Sequence, residues 1–501
     1  MIPLIAPLGL VETYSENFKS HFTEDTYESF KRYLSGLMIN ENKTIEGINR
    51  MFVLDVQHQS HLNRFLTTHC FDERALNKSR VKWLQSVEQT AFKEGEGTKG
   101  TLIIDDTLLN HYGSHFEQCS MLYDHVTKTS HWAHNLVNLH YSDDQTDYPV
   151  DYRLWEPPDL DAIVKALQKI GFTINAAKEA AKTVEPIKWR TYLLREYHKK
   201  RLYPYKGGPK SGKGAETRST EPIEVVYKSK LDYAKALLRD FYKDYPDSHL
   251  PIAFDHWYTS ADFCEFIDKK LEKSYVGTLA EQDVIVLHTS LHTQKDGKDQ
   301  TESITCGAFV QRLIAQHHQA VEQKLPPVFE KVGIHFKGKK EVYYAYCHKH
   351  DIQSLGQQQL VISLSKADLT DKEPKFYVSN RLNWRSGGIL RIRRHRWPIE
   401  VYHEEGKAEG LNKYQVRQFD ALKKHIACVC LTYSMLKRLQ FDHDLLNKFQ
   451  WKPKREVFTL PFLRRVMSAN ALIDLIDWFV QQIHSDVDRQ ILIAKITKAY
   501  A

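Results

Sequence analysis

The sequence predicts a mixed α/β protein with helical regions at both ends. Two short apolar runs, TLII (101–104) and PIAF (251–254), end in aspartates and predict buried strands of a sheet. Near both ends of the chain, apolar residues recur at spacings of three and four, which is typical of amphipathic helices. Between residues 275 and 378 the pattern changes to short strands separated by turns, which indicates a β-rich insertion.

The composition is that of a globular protein with a small basic surplus. The 501 residues are 42% hydrophobic and carry a net charge of +7. This size favours about two to four domains, and the charge favours an anionic partner such as nucleic acid. Seven cysteines without a C-x-x-C pair support neither a disulfide framework nor a zinc ribbon, so a reducing cytoplasm is expected. Neither a signal peptide nor a membrane-spanning segment is expected.

Each element follows from its local pattern. Residues 1–96 are predicted to be helical, and the Gly-rich segment KEGEGTKG (93–100) is predicted to end this region. Strands are then predicted at 101–107, 131–143 and 148–155, helices within 159–185 and 230–245, and a strand, turn and helix over 250–274. One helix near 309–323 is predicted to interrupt the strands of the insertion. From GGILRIRR (387–394) onward the chain is predicted to be helical.

Three acidic sites stand out in this arrangement. Asp105 and Asp106 follow the first apolar run, Asp255 follows the second, and a group of glutamates follows RWPI (396–399). Strand ends are where α/β folds position working residues, although a single aspartate there more often caps a turn or helix. Three carboxylates from distant segments, beside an arginine cluster, suit two divalent cations in phosphoryl transfer.

The segment RRHRWPIEVYHEEGK (393–407) combines cations with carboxylates. Pro398 suits the first turn of a helix, on which Glu400, Glu404 and Lys407 share one face while Glu405 lies elsewhere. Helix geometry alone does not separate Glu400 from Glu404. Residues 381–396 contain no acid and are predicted to contact phosphates through Arg381, Arg385, Arg391, Arg393, Arg394 and Arg396.

These motifs resemble those of the DDE-type insertion-sequence transposases of the cut-and-paste branch. The signature Y-x2-R-x3-E-x6-K of that family is matched at three positions, namely Arg396, Glu400 and Lys407, whereas Arg393 stands at the tyrosine position. An apolar strand ending in Asp-Thr matches Asp106, and an apolar strand followed by an aromatic turn, FDHWYTS, matches Asp255. The resemblance covers most of the chain.

The resemblance implies a ribonuclease H-like catalytic domain with two Mg²⁺ or Mn²⁺ ions bound by a catalytic triad of Asp106, Asp255 and Glu400. It favours Glu400 over Glu404 and Asp106 over Asp105, but only one aspartate of an alternating strand can face the metal, so Asp105 stays an alternative. The expected phosphate-binding residues are Arg396, Lys407, Arg393 and Arg394. Trp384 or Trp397 is expected to stack on a displaced base.

The patterns and the resemblance together divide the chain into five parts. These are a helical DNA-binding region (1–96), the first part of the catalytic core (97–274), the β-rich insertion (275–378), the second part of the core with the glutamate helix (379–440) and a helical C-terminal region (441–501). The implied activity is excision of an insertion sequence and strand transfer. The implied partners are the terminal inverted repeats and target sites of double-stranded DNA, bound by a homodimer.

Two motifs are expected to be decoys, and two other functions are rivals. GGPKSGKG (207–214) imitates a nucleotide-binding loop, but Gly214 stands where a serine or threonine is needed. A zinc site is not expected from the four histidines of a predicted strand region, His125, His131, His134 and His140, because no cysteine partner lies at finger spacing. The rival functions are a metal-dependent nuclease that cuts without joining and a DNA-binding relative without catalysis.

Overall fold

A computed structural model describes residues 2–497 except 56, 89–99, 112, 181, 203–222, 290–299 and 452–457. The imitation nucleotide-binding loop (207–214) and, apart from Gly100, the predicted boundary at 93–100 lie outside the described residues. The N-terminal region is helical, as predicted, with five α-helices, α1 (Gly9–Ser15), α2 (Glu24–Ile39), α3 (Ile45–Arg50), α4 (Ser60–Thr67) and α5 (Glu73–Val87). A 3-10 helix, Glu16–His21, follows α1.

The core of the protein is a mixed sheet. Its strands are β1 (Thr101–His111), β2 (Ser120–Asp124), β3 (Thr129–Ser142), β4 (Asp147–Trp155), β5 (Ile252–Phe254) and β6 (Tyr275–Leu279). β3 lies antiparallel to β1, β2 and β4, whereas β5 lies parallel to both β1 and β6. The order β4–β3–β1–β5–β6, with three antiparallel strands followed by two parallel ones, confirms the predicted ribonuclease H-like fold class.

Helices connect β4 to β5 and β5 to β6. They are α6 (Leu160–Lys169), α7 (Ala176–Ala180), α8 (Pro186–Leu202), α9 (Lys230–Asp244) and α10 (Ala261–Glu265), with a 3-10 turn at His256–Tyr258 and a π-helical turn at Phe266–Lys270. The helix predicted within 159–185 is interrupted after α6, where Gly171 adopts a φ of +76°. A left-handed residue cannot continue a right-handed helix, so the chain turns there.

The β-rich insertion extends the core sheet instead of forming a separate layer. Its elements are β7 (Val284–Thr289), β8 (Gln300–Thr305), α11 (Cys306–Glu322), β9 (Glu330–Phe336), β10 (Lys339–Ile352), β11 (Gly356–Leu364) and β12 (Lys375–Ser379). β12 pairs antiparallel with β6, which joins the two sets of strands into one sheet. Residues 275–279 were expected at the start of the insertion, but their parallel pairing with β5 makes them the fifth strand of the core order.

The chain after 386 is helical, as predicted. Its helices are α12 (Ser386–Arg394), α13 (Trp397–Ala408), α14 (Phe419–Leu439), α15 (His443–Lys448), α16 (Leu460–His484) and α17 (Arg489–Thr497). α14 is almost wholly buried and packs against α2, α4, α5 and α16. The N-terminal and C-terminal helices therefore share one apolar core with the sheet. Among the helices described, none is long and apolar enough to cross a bilayer.

Candidate active site

Asp105 and Asp106 point to opposite faces of the sheet because side chains alternate along β1. Asp105 lies opposite Asn138 in the β1–β3 ladder, so these two residues share a face. The Asn138 amide Nδ2 lies 3.0 Å from Nε2 of His403, a residue of α13. The face that carries Asp105 is therefore the face covered by the glutamate helix, and Asp106 lies on the other.

Three donors surround the carboxylate of Asp106. Its Oδ2 accepts a hydrogen bond from Asn135 at 2.6 Å, and its Oδ1 accepts one from the hydroxyl of Tyr258 at 2.9 Å. Lys230, the first residue of α9, places its Nζ 3.0 Å from Oδ2. This carboxylate is therefore an acceptor that joins β3, α9 and the turn after β5.

Arg396 connects Asp105 to Glu400. The chain breaks between α12 and α13 at His395–Arg396, so Arg396 lies at the start of α13, one turn before Glu400, and Pro398 lies in the first turn of the helix, as predicted. Its Nη1 donates to Asp105 Oδ2 at 2.7 Å, and its Nη2 contacts Glu400 Oε1. The guanidinium is almost fully buried, so its pair with Asp105 is shielded from solvent.

Asp255 completes a set of three carboxylates. Ile104 and Phe254 are paired in the parallel β1–β5 ladder, and Asp105 and Asp255 are the next residues of the two strands. Asp255 also caps the 3-10 turn by accepting from the backbone N–H of Tyr258 at 3.3 Å. Parallel neighbours in register lie side by side, so the two aspartates meet at the carboxyl end of β5.

The electrostatics of the two aspartates reflect this crowding. Burial raises the pKa of Asp105 to about 7, while the charge of Arg396 opposes the shift and the neighbouring aspartates add to it. Burial likewise raises the pKa of Asp255, and Arg396 again opposes the shift. The charge of one arginine therefore acts on both aspartates while its side chain contacts Glu400.

The structure distinguishes Glu400 from Glu404, which helix geometry alone could not do. Glu400 is 37% exposed at its side chain and contacts Arg396. Glu404 is exposed and has no ion pair among the residues described. Glu405 pairs with Arg464 of α16 at 3.0 Å, on the other side of α13. Only Glu400 is linked to the strand aspartates.

The other predicted phosphate-binding residues differ in their burial and in the contacts that their charged groups already make. Lys407 is half-buried on α13, and burial lowers its pKa. The guanidinium of Arg393 lies 5.5 Å from the ring centroid of Tyr377, and burial lowers its pKa as well. Arg394 donates to both carboxylate oxygens of Glu341 on β10, at 2.9 and 3.0 Å. A phosphate contact by Arg394 would therefore require this pair to open.

The residues that the sequence did not reveal lie around Asp106 and Asp255. Trp257 is 47% exposed, and the ammonium of Lys230 lies 4.1 Å from its ring centroid. Trp257 belongs to the aromatic turn FDHWYTS, whereas base stacking was expected at Trp384 or Trp397. Of these, Trp397 is exposed beside Glu400, whereas Trp384 packs against an apolar cluster.

The donor chemistry of Asp105, Asp255 and Glu400 fits a hard divalent cation, because all three supply carboxylate oxygens. In the described part of the chain, however, no three His, Cys, Asp or Glu residues are grouped closely enough to hold a metal ion. Arg396 lies among these carboxylates and neutralises part of their charge. Among the described histidines, His134 is hydrogen-bonded to Tyr414 and to the backbone carbonyl of Glu117.

A family profile described as DDE superfamily endonuclease matches residues 17–296, which is more than half of the chain. The chain belongs to this family. The matched segment of this DDE superfamily endonuclease contains both aspartate motifs and ends before the glutamate helix. A search of curated proteins gave no match. Membership supports a nuclease- or transposase-type function on DNA, and endonucleases of this superfamily generally use divalent metal ions.

Proposed function

We propose that this DDE superfamily endonuclease is a transposase of the Tyr-Arg-Glu-Lys branch, which excises an insertion sequence and transfers its strands into target DNA. The observation that carries the proposal is the bridge from Asp105 through Arg396 to Glu400, with Asp255 beside it. Residues almost 300 positions apart in sequence converge there on one edge of the sheet. Carboxylates beside an arginine suit the metal and phosphate contacts of phosphodiester chemistry.

The carboxylates of Asp255 and Glu400, with one strand aspartate, would hold two Mg²⁺ or Mn²⁺ ions. Bound divalent ions supply a water of lowered pKa and stabilise the leaving oxygen of a phosphodiester. Arg396 would exchange its carboxylate contacts for a DNA phosphate, and Lys407 would hold a second phosphate from the same helix.

The resemblance favours Asp106 as the strand aspartate, whereas the contacts favour Asp105. Asp105 shares the face of Glu400 and is joined to it through Arg396. Asp106 already accepts from Asn135 and Tyr258 and pairs with a lysine. We therefore propose Asp105, Asp255 and Glu400 as the metal-binding set, with Asp106 organising the surrounding residues.

The decisive experiment uses DNA that carries both flanks of this gene's own locus. Wild-type protein should cut at discrete end positions with Mg²⁺ and not with EDTA, and should then give joined products. Glu400→Gln should abolish cutting, whereas the matched control Glu404→Gln, on the same helix face, should cut normally. If Glu400→Gln cuts as well as wild type, the assignment of Glu400 is wrong.

The products also separate the rival functions. Cut ends without joined products would indicate a nuclease, and specific binding without Mg²⁺-dependent cutting would indicate a binding protein. The departure at Arg393, which stands at the family's tyrosine position, is the feature that keeps the nuclease in consideration.

Several further expectations belong to this proposal. The partners would be terminal inverted repeats and target sites, bound by a homodimer that cuts two ends together. Residues 1–96 would contribute to DNA binding. The pairing of β6 with β5 supports a first part of the catalytic core that extends to Leu279 instead of ending at 274.

A further inference from the structure

A small helical insertion lies between β4 and α9. The helices α6 and α8 pack against each other around an apolar cluster of their own. Trp189, Leu193 and Tyr197, four residues apart along α8, face this cluster and are buried. With one face of α8 turned to its own small core, the opposite face is left to solvent.

This insertion is rich in positive charge. Residues 160–202 contain ten Lys or Arg against four Asp or Glu, which gives a net charge of +6, while the whole chain carries +7. Within α8, six Lys or Arg stand against one Glu, a net charge of +5. A charge so concentrated on about a twelfth of the chain produces a local positive field.

The outward face of α8 carries a basic stripe, defined as Lys188, Arg195 and Lys199. These side chains are exposed, and their spacings of seven and four residues place them within about 40° of one another around the helix. Arg195 and Lys199 share the single partner Glu196, at 3.2 and 3.3 Å. Lys188 pairs in the same way with Glu185. Because the basic partners are exposed, these pairs are weak and a phosphate can compete for them.

Both ends of the insertion lie at the candidate active site. At one end, Trp155 closes β4 and lies opposite Asn135, which donates to Asp106. At the other end, Lys230 opens α9 and contacts the same carboxylate. The basic stripe spans about 16 Å along α8. The segments on both sides of the insertion are therefore anchored beside Asp106, next to the proposed metal-binding carboxylates.

We propose that the basic stripe of α8 binds the phosphate backbone of the duplex DNA that occupies the candidate active site. The proposal rests on the proposed function only in taking DNA as the occupant of that site. Contacts from flexible cations to phosphates add affinity without reading sequence, so the insertion contributes sequence-independent binding.

The test measures binding of the full chain in EDTA, so that no cleavage takes place. The probe is a fluorescein-labelled duplex of arbitrary sequence, and its anisotropy is followed at salt concentrations between about 50 and 200 mM. The stripe variant is Lys188→Gln/Arg195→Gln/Lys199→Gln. The matched control, Lys243→Gln/Lys269→Gln/Lys270→Gln, removes three exposed charges at the far end of the sheet.

Each lost phosphate contact should lower the slope of log K against log salt by about 0.9, so the stripe variant should lose about 2.7. Across a fourfold rise in salt, the affinity of wild type should then fall about 40-fold more than that of the stripe variant. The control should keep the wild-type slope. Equal slopes for the stripe variant and the control overturn the proposal.

The failure of this proposal is distinguishable from failure of the proposed function. If wild-type protein binds duplex DNA and cuts with Mg²⁺, but the stripe variant keeps the full salt slope, only the proposed role of the insertion is wrong. If wild-type protein binds no duplex at any of these salt concentrations, both the role of the basic stripe and the proposed function are wrong. Thermal unfolding of the variants at the wild-type temperature excludes misfolding, because all six substituted side chains are exposed.

Discussion

Replacing Asp105 and Asp106 separately by asparagine should have opposite effects on stability and on metal binding. Asp105→Asn removes a carboxylate whose pKa is raised to about 7 by burial, so the fold already favours its neutral form. Asp106→Asn removes a carboxylate that accepts from two donors and pairs with Lys230. The first variant should stay folded and lose the metal, whereas the second should lose stability.

The magnitudes follow from these contacts. The pKa of Asp105 rises from 3.8 to about 7 on folding, so ionisation at higher pH disfavours the folded state. The neutral asparagine avoids this penalty of a few kcal/mol, which offsets the loss of the bond from Arg396, so stability should stay within about 1 kcal/mol of wild type. An asparagine at 106 can accept from one of the three donors and turns its own N–H toward another, which costs about 2–4 kcal/mol.

The assay combines urea unfolding near pH 7.5 with calorimetric titration of Mn²⁺. Asp105→Asn should unfold at the wild-type urea concentration and show no Mn²⁺ heat. Asp106→Asn should unfold at lower urea while the Mn²⁺ heat is retained at temperatures where the variant is folded. A stable Asp106→Asn that binds no Mn²⁺, beside an Asp105→Asn that binds normally, would refute the reasoning and restore Asp106 as the ligand.

Three further outcomes are expected. Trp257→Ala should weaken binding of single-stranded DNA by about 1–3 kcal/mol in fluorescence titrations, and Trp257→Phe should restore most of it, because an exposed ring offers a base a stacking surface. His425 accepts a hydrogen bond from Tyr33, and burial lowers its pKa to about 4. The free energy of unfolding should therefore fall by about 1.4 kcal/mol per pH unit as the pH drops from 6.5 toward 4. Urea unfolding at pH 7 and pH 5 should show a smaller fall for His425→Gln than for wild type. Lys437→Met should lower the free energy of unfolding by about 3 kcal/mol, because the buried Asp147 loses an ammonium partner at 2.9 Å. Thermal scans measure this loss, and Lys437→Arg, which keeps the positive charge, is the control.

Much of the fold could be predicted from local patterns. The strands at 101–107, 131–143 and 148–155 and the helix at 230–245 are confirmed as β1, β3, β4 and α9, because alternation and helical spacing are local properties. β6 was assigned to the insertion because its sequence alone carries no mark of its neighbour. Its place in the core depends on the parallel pairing with β5, which is a tertiary contact.

The candidate site also has a part that local patterns predict and a part that depends on tertiary contacts. Motif spacing predicted that Arg396 and Glu400 belong to the site, and the two side chains are in contact in the structure. The choice between Asp105 and Asp106 depends on which face of the sheet α13 covers, and no local pattern reports that. The roles of Lys230 and Tyr258 could not be predicted from sequence because their contacts with Asp106 join residues more than 100 positions apart.

The burial of α14 has a consequence for how the chain is made. The N-terminal helices end at Val87, but the helix on which they pack, α14, ends only at Leu439. At ribosomal rates of about 5–20 residues per second, roughly 20–70 s pass before that partner leaves the exit tunnel. Arg80, for example, is buried against Ser434 and cannot find this acceptor earlier.

The apolar surface of the nascent N-terminal segment therefore stays uncovered until α14 has been synthesised. Chaperone occupancy of this segment should be high during synthesis, and a truncated product that stops before α14 should aggregate. A nonsense mutation late in the gene would then leave no folded fragment that could occupy DNA without acting on it. In this protein, the shared apolar core can form only once α14 has been synthesised.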